Sequence, residues 1–86
     1  MTHAEVVIYE YNFWIQRYQF DTTAVIENGT PRTTMIYVTE KLRESTVDQL
    51  HRIANFAYAG GEGDLAYRIN CAAVALYDDG TSPKPM

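Results

Sequence analysis

The chain has 86 residues, and its 11 acidic and 7 basic side chains give a formal net charge of −4. This length allows one domain with a small core, and the scattered bases argue against binding to nucleic acid phosphates. The single cysteine, Cys71, excludes an intrachain disulfide. There is no apolar run of about 20 residues to span a membrane and no leader-like start, so we expect a cytoplasmic protein.

The first forty residues are rich in β-branched and aromatic side chains, which favour strands. Within them, Asn28-Gly29 predicts a type I′ turn, because both residues tolerate positive φ. We therefore predict a β-hairpin with strands over 20–27 and 30–38. We also predict a strand over 5–11, before this hairpin.

The second half of the chain has helical patterning. Ser45 and Asp48 resemble a capping box, and Gly60 is placed to end the helix that they begin. The apolar residues between them recur at helical spacing: Val47, Leu50, Ile53, Ala54 and Ala57. Residues 65–77 also fit a helix, which Gly80 would end, although alternate residues there are apolar as in a strand.

The predicted fold class is α+β. An antiparallel sheet of two or three strands is covered on one face by a C-terminal helical hairpin. The alternative makes residues 65–77 an additional strand and gives a βββαβ order. One domain spans residues 1–80 in either case, and residues 81–86 form a short, mobile tail.

Aromatic residues are densest near the N-terminus, where six fall within a dozen positions. In a strand, their alternation would place large rings on both faces, and one helical layer would cover only one of them. Tyr and Trp suit interfaces because each combines apolar area with a polar group. The predicted partner-binding residues are Tyr9, Tyr11, Phe13, Trp14 and Tyr18. The competing interpretation is that these rings are the core.

Four acidic residues form a second candidate surface: Glu44, Asp48, Asp78 and Asp79. In an antiparallel helical hairpin, the start of the first helix lies beside the end of the second. The four carboxylates would then gather at one pole and attract a basic surface on a partner. The competing interpretation is an ordinary solvated surface.

Motifs for catalysis are absent from the sequence. The Gly-rich stretch 60–64 lacks the lysine and hydroxyl residue of a phosphate-binding loop, and its carboxylates would repel phosphate. Cys71 lies among small apolar residues, which predicts a buried, unreactive thiol. His51 is predicted to be a surface residue. We therefore predict no catalytic residue, no metal site and no cofactor.

These observations favour a non-enzymatic protein-interaction module, acting on another protein or forming a homodimer. Small acidic chains without catalytic motifs are a type found among phage-encoded inhibitors, so the expected role is that of an inhibitor or adaptor. The alternative is a small enzyme or ligand-binding protein with an aromatic pocket between the sheet and the helices.

Overall fold

The computed structural model describes residues 1–86 as three helices: α1 (His3–Glu27), α2 (Arg32–Ala59) and α3 (Gly63–Asp79). The protein is a three-helix all-α bundle, 81% helical, with no strand or sheet. The predicted α+β class is therefore wrong, and so is the βββαβ alternative. No helix combines the length and the apolar character that crossing a membrane requires.

α1 occupies the region where strands were predicted. It begins with a capping box: the Thr2 hydroxyl oxygen accepts from the Glu5 N–H at 3.1 Å, and the Thr2 N–H donates to the Glu5 carboxylate at 3.3 Å. Its buried side chains recur every three or four residues: Val7, Tyr11, Ile15 and Tyr18. The strand preference of aromatic residues is overridden because this single face packs into the core.

Asn28 and Gly29 form a turn between two helices, and not the tip of a β-hairpin. Gly29 has a φ of +65°, whereas Asn28 has a φ of −78°. A type I′ turn needs positive φ at both residues, so the predicted turn type is wrong. Gly29 instead supplies the left-handed residue that commonly follows a helix C-terminus.

α2 begins well before the predicted start at Ser45, which lies exposed inside the helix. The predicted capping box of Ser45 and Asp48 is therefore wrong. The next residue, Thr46, is buried, and its hydroxyl donates to the Leu42 carbonyl at 2.8 Å. The predicted apolar stripe is confirmed, because all five of its residues are buried: Val47, Leu50, Ile53, Ala54 and Ala57.

α3 confirms the helical interpretation of residues 65–77. The N-cap is Glu62, and Asp64 lies in the first turn. Gly80 ends the helix as predicted, with a φ of +68°, and its N–H donates to the Leu76 carbonyl at 3.1 Å. The buried residues of α3 are Ala66, Ile69, Ala73 and Leu76.

The start of α1 is fixed against the end of α2. His3 Nε2 lies 3.0 Å from the Phe56 carbonyl oxygen, and the two rings pack with centroids 4.4 Å apart. Gly60 allows this approach, because a Cβ atom there would collide with the imidazole of His3. The two longest helices therefore run antiparallel along their whole length.

α3 is much shorter than α2 and covers only part of it. His51 Nδ1 lies 3.1 Å from Asn70 Oδ1, which sets the antiparallel alignment of the two helices. By this alignment, Asp79 at the end of α3 lies level with Leu42. The N-terminal part of α2, back to Arg32, extends about 15 Å beyond α3 at 1.5 Å per residue.

The molecule consequently has two parts, which we call the base and the arm. The base contains residues 3–18 and 42–79, where all three helices pack, and the arm contains residues 19–41, where only α1 and α2 are present. Every core residue lies in the base, and no residue of the arm is buried. The arm gives the molecule its elongated shape of 45 × 25 × 16 Å.

The C-terminal segment 80–86 lies against α1 in the base. The Tyr11 hydroxyl donates to the Lys84 carbonyl at 2.9 Å. The Asn12 amide pairs with the backbone of Met86, accepting from its N–H at 2.9 Å and donating to its carbonyl at 3.1 Å. Pro83 is buried. The mobility predicted for this tail stays a prediction.

Candidate interaction surface

The aromatic cluster of α1 divides between the core and the solvent. Tyr11 and Tyr18 are buried and belong to the core. Burial raises the pKa of the Tyr11 hydroxyl, and the nearby Arg68 partly opposes this shift. Burial likewise raises the pKa of the Tyr18 hydroxyl, with Arg43 opposing it. Both phenols are therefore neutral at physiological pH. Because the two rings are buried, neither is accessible to a partner.

Trp14 lies at the edge of the core. It is partly buried and packs against the core residues. Its ring meets the ring of Phe13 edge to face, with centroids 5.4 Å apart, an arrangement that aromatic pairs favour. Trp14 therefore supports Phe13 from the core side.

Three aromatic rings of α1 face solvent and form what we call the α1 stripe. Tyr9 is 61% exposed, Phe13 44% and Phe20 72%. At 100° per residue they lie within about 40° of one another, on the side of the helix opposite the core residues. Gln16 lies between them on the same face. The stripe is thus a continuous strip of a helix whose other face is already packed.

The structure brings together only part of the predicted partner-binding set. Tyr9 and Phe13 share the exposed face, whereas Tyr11, Trp14 and Tyr18 turn towards the core. Phe20 belongs with the exposed pair, but the predicted set omits it. Helical spacing would have identified it, because Phe20 follows Phe13 by seven residues.

The four predicted acidic residues lie at the end of α3 and beside it on α2. The alignment of α2 and α3 places Glu44 level with Tyr77, next to Asp78 and Asp79, and Asp48 one turn further into the base. All four are exposed. Glu44 pairs with Lys41 at 3.7 Å. None of the four carboxylates has a buried partner group, and their role in binding stays a prediction.

α3 also has an exposed apolar face that the sequence interpretation missed. Tyr67, Cys71 and Val74 lie on it, opposite the buried stripe of the same helix. The predicted burial of Cys71 is therefore wrong: the thiol is free and exposed. Small neighbours suggested a core position, but α3 contributes only its other face to the core.

The alternative prediction, a small enzyme or ligand-binding protein, places an aromatic pocket between the sheet and the helices. The structure has no sheet and therefore no such pocket. The nearest feature is an open depression of about 500 Å³ beside the tail, bordered by Tyr11, Tyr67, Arg68 and Lys84. No group of three His, Cys, Asp or Glu side chains is positioned to hold a metal ion.

Comparisons with protein-family models, with curated proteins and with solved structures give no match for this chain.

Proposed function

We propose that this protein is a non-enzymatic interaction module that binds a larger protein, as an inhibitor or adaptor, through the α1 stripe. The observation that carries the proposal is the exposure of Tyr9, Phe13 and Phe20 on one face of a helix. Such a face, with anchors four and seven residues apart, suits insertion into an apolar groove of a partner.

The energetics favour such a role for these rings. Aromatic side chains bring large apolar area to an interface with few rotatable bonds, so little conformational entropy is lost on binding. At Tyr9 and Phe13 the opposite face of α1 is held in the core, which keeps this part of the helix formed before it binds. A preformed helix avoids the ordering cost that a disordered peptide would incur.

The charge of the chain indicates the chemistry of the partner. The net charge is −4, and Glu5 and Glu27 flank the stripe on the same side of α1. A groove with an apolar floor and basic residues at its rim would match this pattern and accelerate association by steering. We place the interaction in the cytoplasm, as the sequence predicts, where the exposed Cys71 thiol would stay reduced.

Capture from a lysate of the source organism tests the proposal, with the wild-type chain compared with Phe13→Ala. The matched control is Tyr67→Ala, which removes an exposed ring from α3. The partner identified by mass spectrometry is then titrated with each variant. We expect Phe13→Ala to weaken binding by about 2 kcal/mol or more, as loss of an interface anchor does.

Thermal melts separate an interface role from a structural one. Phe13 is 44% exposed and packs its ring against Trp14, so its replacement is expected to lower the free energy of unfolding by only about 1–2 kcal/mol, less than the loss of a core ring. Equal binding of wild type and Phe13→Ala would contradict the proposal. A large loss of stability in Phe13→Ala would also contradict it, because the ring would then serve the core.

A further inference from the structure

The arm carries an apolar groove on the side where α3 would lie if α3 were longer. Ile26 of α1 and Met35 and Ile36 of α2 line it, with Glu40 and Arg43 at its border, and this open groove has a volume of about 410 Å³. Ile36 is 49% exposed and Ile26 is 65% exposed. In the base, the equivalent surface of the helix pair is covered by α3. The groove is therefore the uncovered continuation of the site that α3 occupies.

We propose that the occupant of this groove is the arm of a second copy of this chain, in an antiparallel, two-fold symmetric dimer. Each arm would lie in line with the partner's α3, and the four arm helices would form a four-helix bundle. The proposal uses a different side of α1 from the α1 stripe and does not depend on the proposed function.

The length of the groove sets the position of the two-fold axis. The groove runs from the end of α3, level with Leu42, to the tip at Arg32, about 15 Å. The arm that would fill it is the same segment of the other copy and has the same length. The two-fold axis then passes close to Ile36, so each Ile36 would contact the partner's Ile36. An isologous interface of this kind is the commonest form of homodimer.

The charges at the two ends of the groove also match in this arrangement. Asp78 and Asp79 lie at the C-terminus of α3, where acids oppose the helix dipole, and no base lies in that last turn. Arg32 lies at the N-terminus of α2, which has neither an acid in its first turn nor a side-chain cap. Asp78 and Asp79 thus place negative charge at a helix C-terminus, and Arg32 places positive charge at a helix N-terminus. Both placements oppose the dipole of the helix that carries them.

Dimerisation would bring these two ends together. The arm of the partner places its α2 N-terminus directly beyond the C-terminus of α3, so the two helices run head to tail and their dipoles align favourably. Arg32 of the partner would then face Asp78 and Asp79. Arg32 has no ion pair within its own chain, where the ion pairs are Arg17–Asp21 and Lys41–Glu44.

The total surface agrees with an association of this size. The chain exposes 5766 Å², whereas a compact monomer of 9.8 kDa exposes roughly 5,200 Å². The excess of roughly 570 Å² is about 70% of the ~800 Å² that each partner contributes to a standard interface. Burial of the arm groove in a dimer would remove such an excess.

Sedimentation equilibrium over the micromolar to high micromolar range tests the dimer. We expect wild-type protein to be dimeric, and Ile36→Glu to weaken the dimer about tenfold or more, because two carboxylates would meet at the two-fold axis. The matched control is Val74→Glu, at a side chain 51% exposed on the outer face of α3. It should leave the dimer unchanged, and so should Phe13→Ala.

Charge exchange supplies a second test that does not depend on an apolar substitution. Arg32→Asp and Asp79→Arg should each weaken the dimer, and the double variant R32D/D79R should restore it. Circular dichroism confirms that each variant stays helical. A wild-type chain that remains monomeric throughout, or a dimer that Ile36→Glu leaves intact, would overturn the proposal. A double variant no tighter than either single variant would overturn the predicted contact between Arg32 and Asp79.

Discussion

The base and the arm are built from the same two helices, yet only the base has a core. α1 and α2 run through both parts without a break. In the base, their facing side chains are covered by α3 and by the tail, and all thirteen residues of the hydrophobic core lie there. In the arm, the same helices leave about half of Ile36 and most of Ile26 exposed to water.

This contrast shows that a helical hairpin alone does not bury an apolar face. Two helices in contact cover one line of side chains on each, and the residues beside that line need a third element. Most helical stability in proteins comes from such tertiary packing and not from helix propensity. We therefore expect the base to hold most of the free energy of unfolding and the arm to open more easily.

Truncation of Leu50 in the base has the largest expected effect. Leu50 is fully buried, and Leu50→Ala should lower the free energy of unfolding by about 2–5 kcal/mol. The same change at Leu42, on the same helix but only partly buried where α3 ends, should lower it by about 1 kcal/mol. Urea melts followed by circular dichroism measure both. Equal losses would contradict the weaker packing expected at the edge of the base, where α3 ends and the arm begins.

Hydrogen exchange sharpens the comparison without any substitution. In dilute solution, amides in the middle of the arm helices should be less protected than those around Leu50 and Ile69 by roughly thirtyfold, or about 2 kcal/mol. Higher protein concentration should raise protection in the arm if arms pair in the proposed dimer. Uniform protection along α2 in dilute solution would show that the arm is as stable as the base.

A glycine in the left-handed region at the tip of the arm tests how far the two parts are coupled. Gly29 has a φ of +65°, so Gly29→Val should lower the free energy of unfolding by about 1–2 kcal/mol. The control is Gly63→Val, where φ is not positive and a Cβ would meet open space. Thermal melts compare the two. A silent Gly29→Val would mean that the tip rearranges independently of the base.

The smallest expected effect concerns the hydroxyl that ties the tail to the base. Tyr11→Phe removes the hydrogen bond to the Lys84 carbonyl and should cost about 1 kcal/mol near neutral pH. Tyr58→Phe, at an exposed ring, is the control and should cost nothing measurable. Urea melts give both values, and a Tyr11→Phe variant as stable as wild type would show that this hydrogen bond contributes no stability.

The same variant has a pH signature. Because burial raises the pKa of the Tyr11 hydroxyl, its contribution to stability is fully present below about pH 10, the pKa of an exposed tyrosine. That contribution is lost as the pH rises through the higher pKa of the folded state. Tyr11→Phe should therefore lose less stability than wild type in alkaline melts, although Tyr18 titrates in the same direction. Identical alkaline losses would contradict this account.

Local sequence signals predicted the C-terminal half of the chain well. The spacing of Val47, Leu50 and Ile53 identified a buried face, and Gly60 and Gly80 marked the ends of two helices. These features depend on neighbours in sequence, since helical periodicity and helix ends are set within a few residues. The exposure of some α1 rings was also expected, although from strand alternation and not from the helix that is present.

The sequence alone therefore determined the positions of the turns and of one apolar face. Tertiary structure decided whether the N-terminal half is helix or strand. Residues 4–27 satisfy strand propensity and helical spacing together. The helix prevails because its face of Val7, Tyr11 and Ile15 meets α2 and α3 in one core. The same packing determines which rings stay in solvent and where the groove of the arm begins. Both depend on how far α3 extends along the other two helices, and no local pattern in α1 or α2 predicts that length.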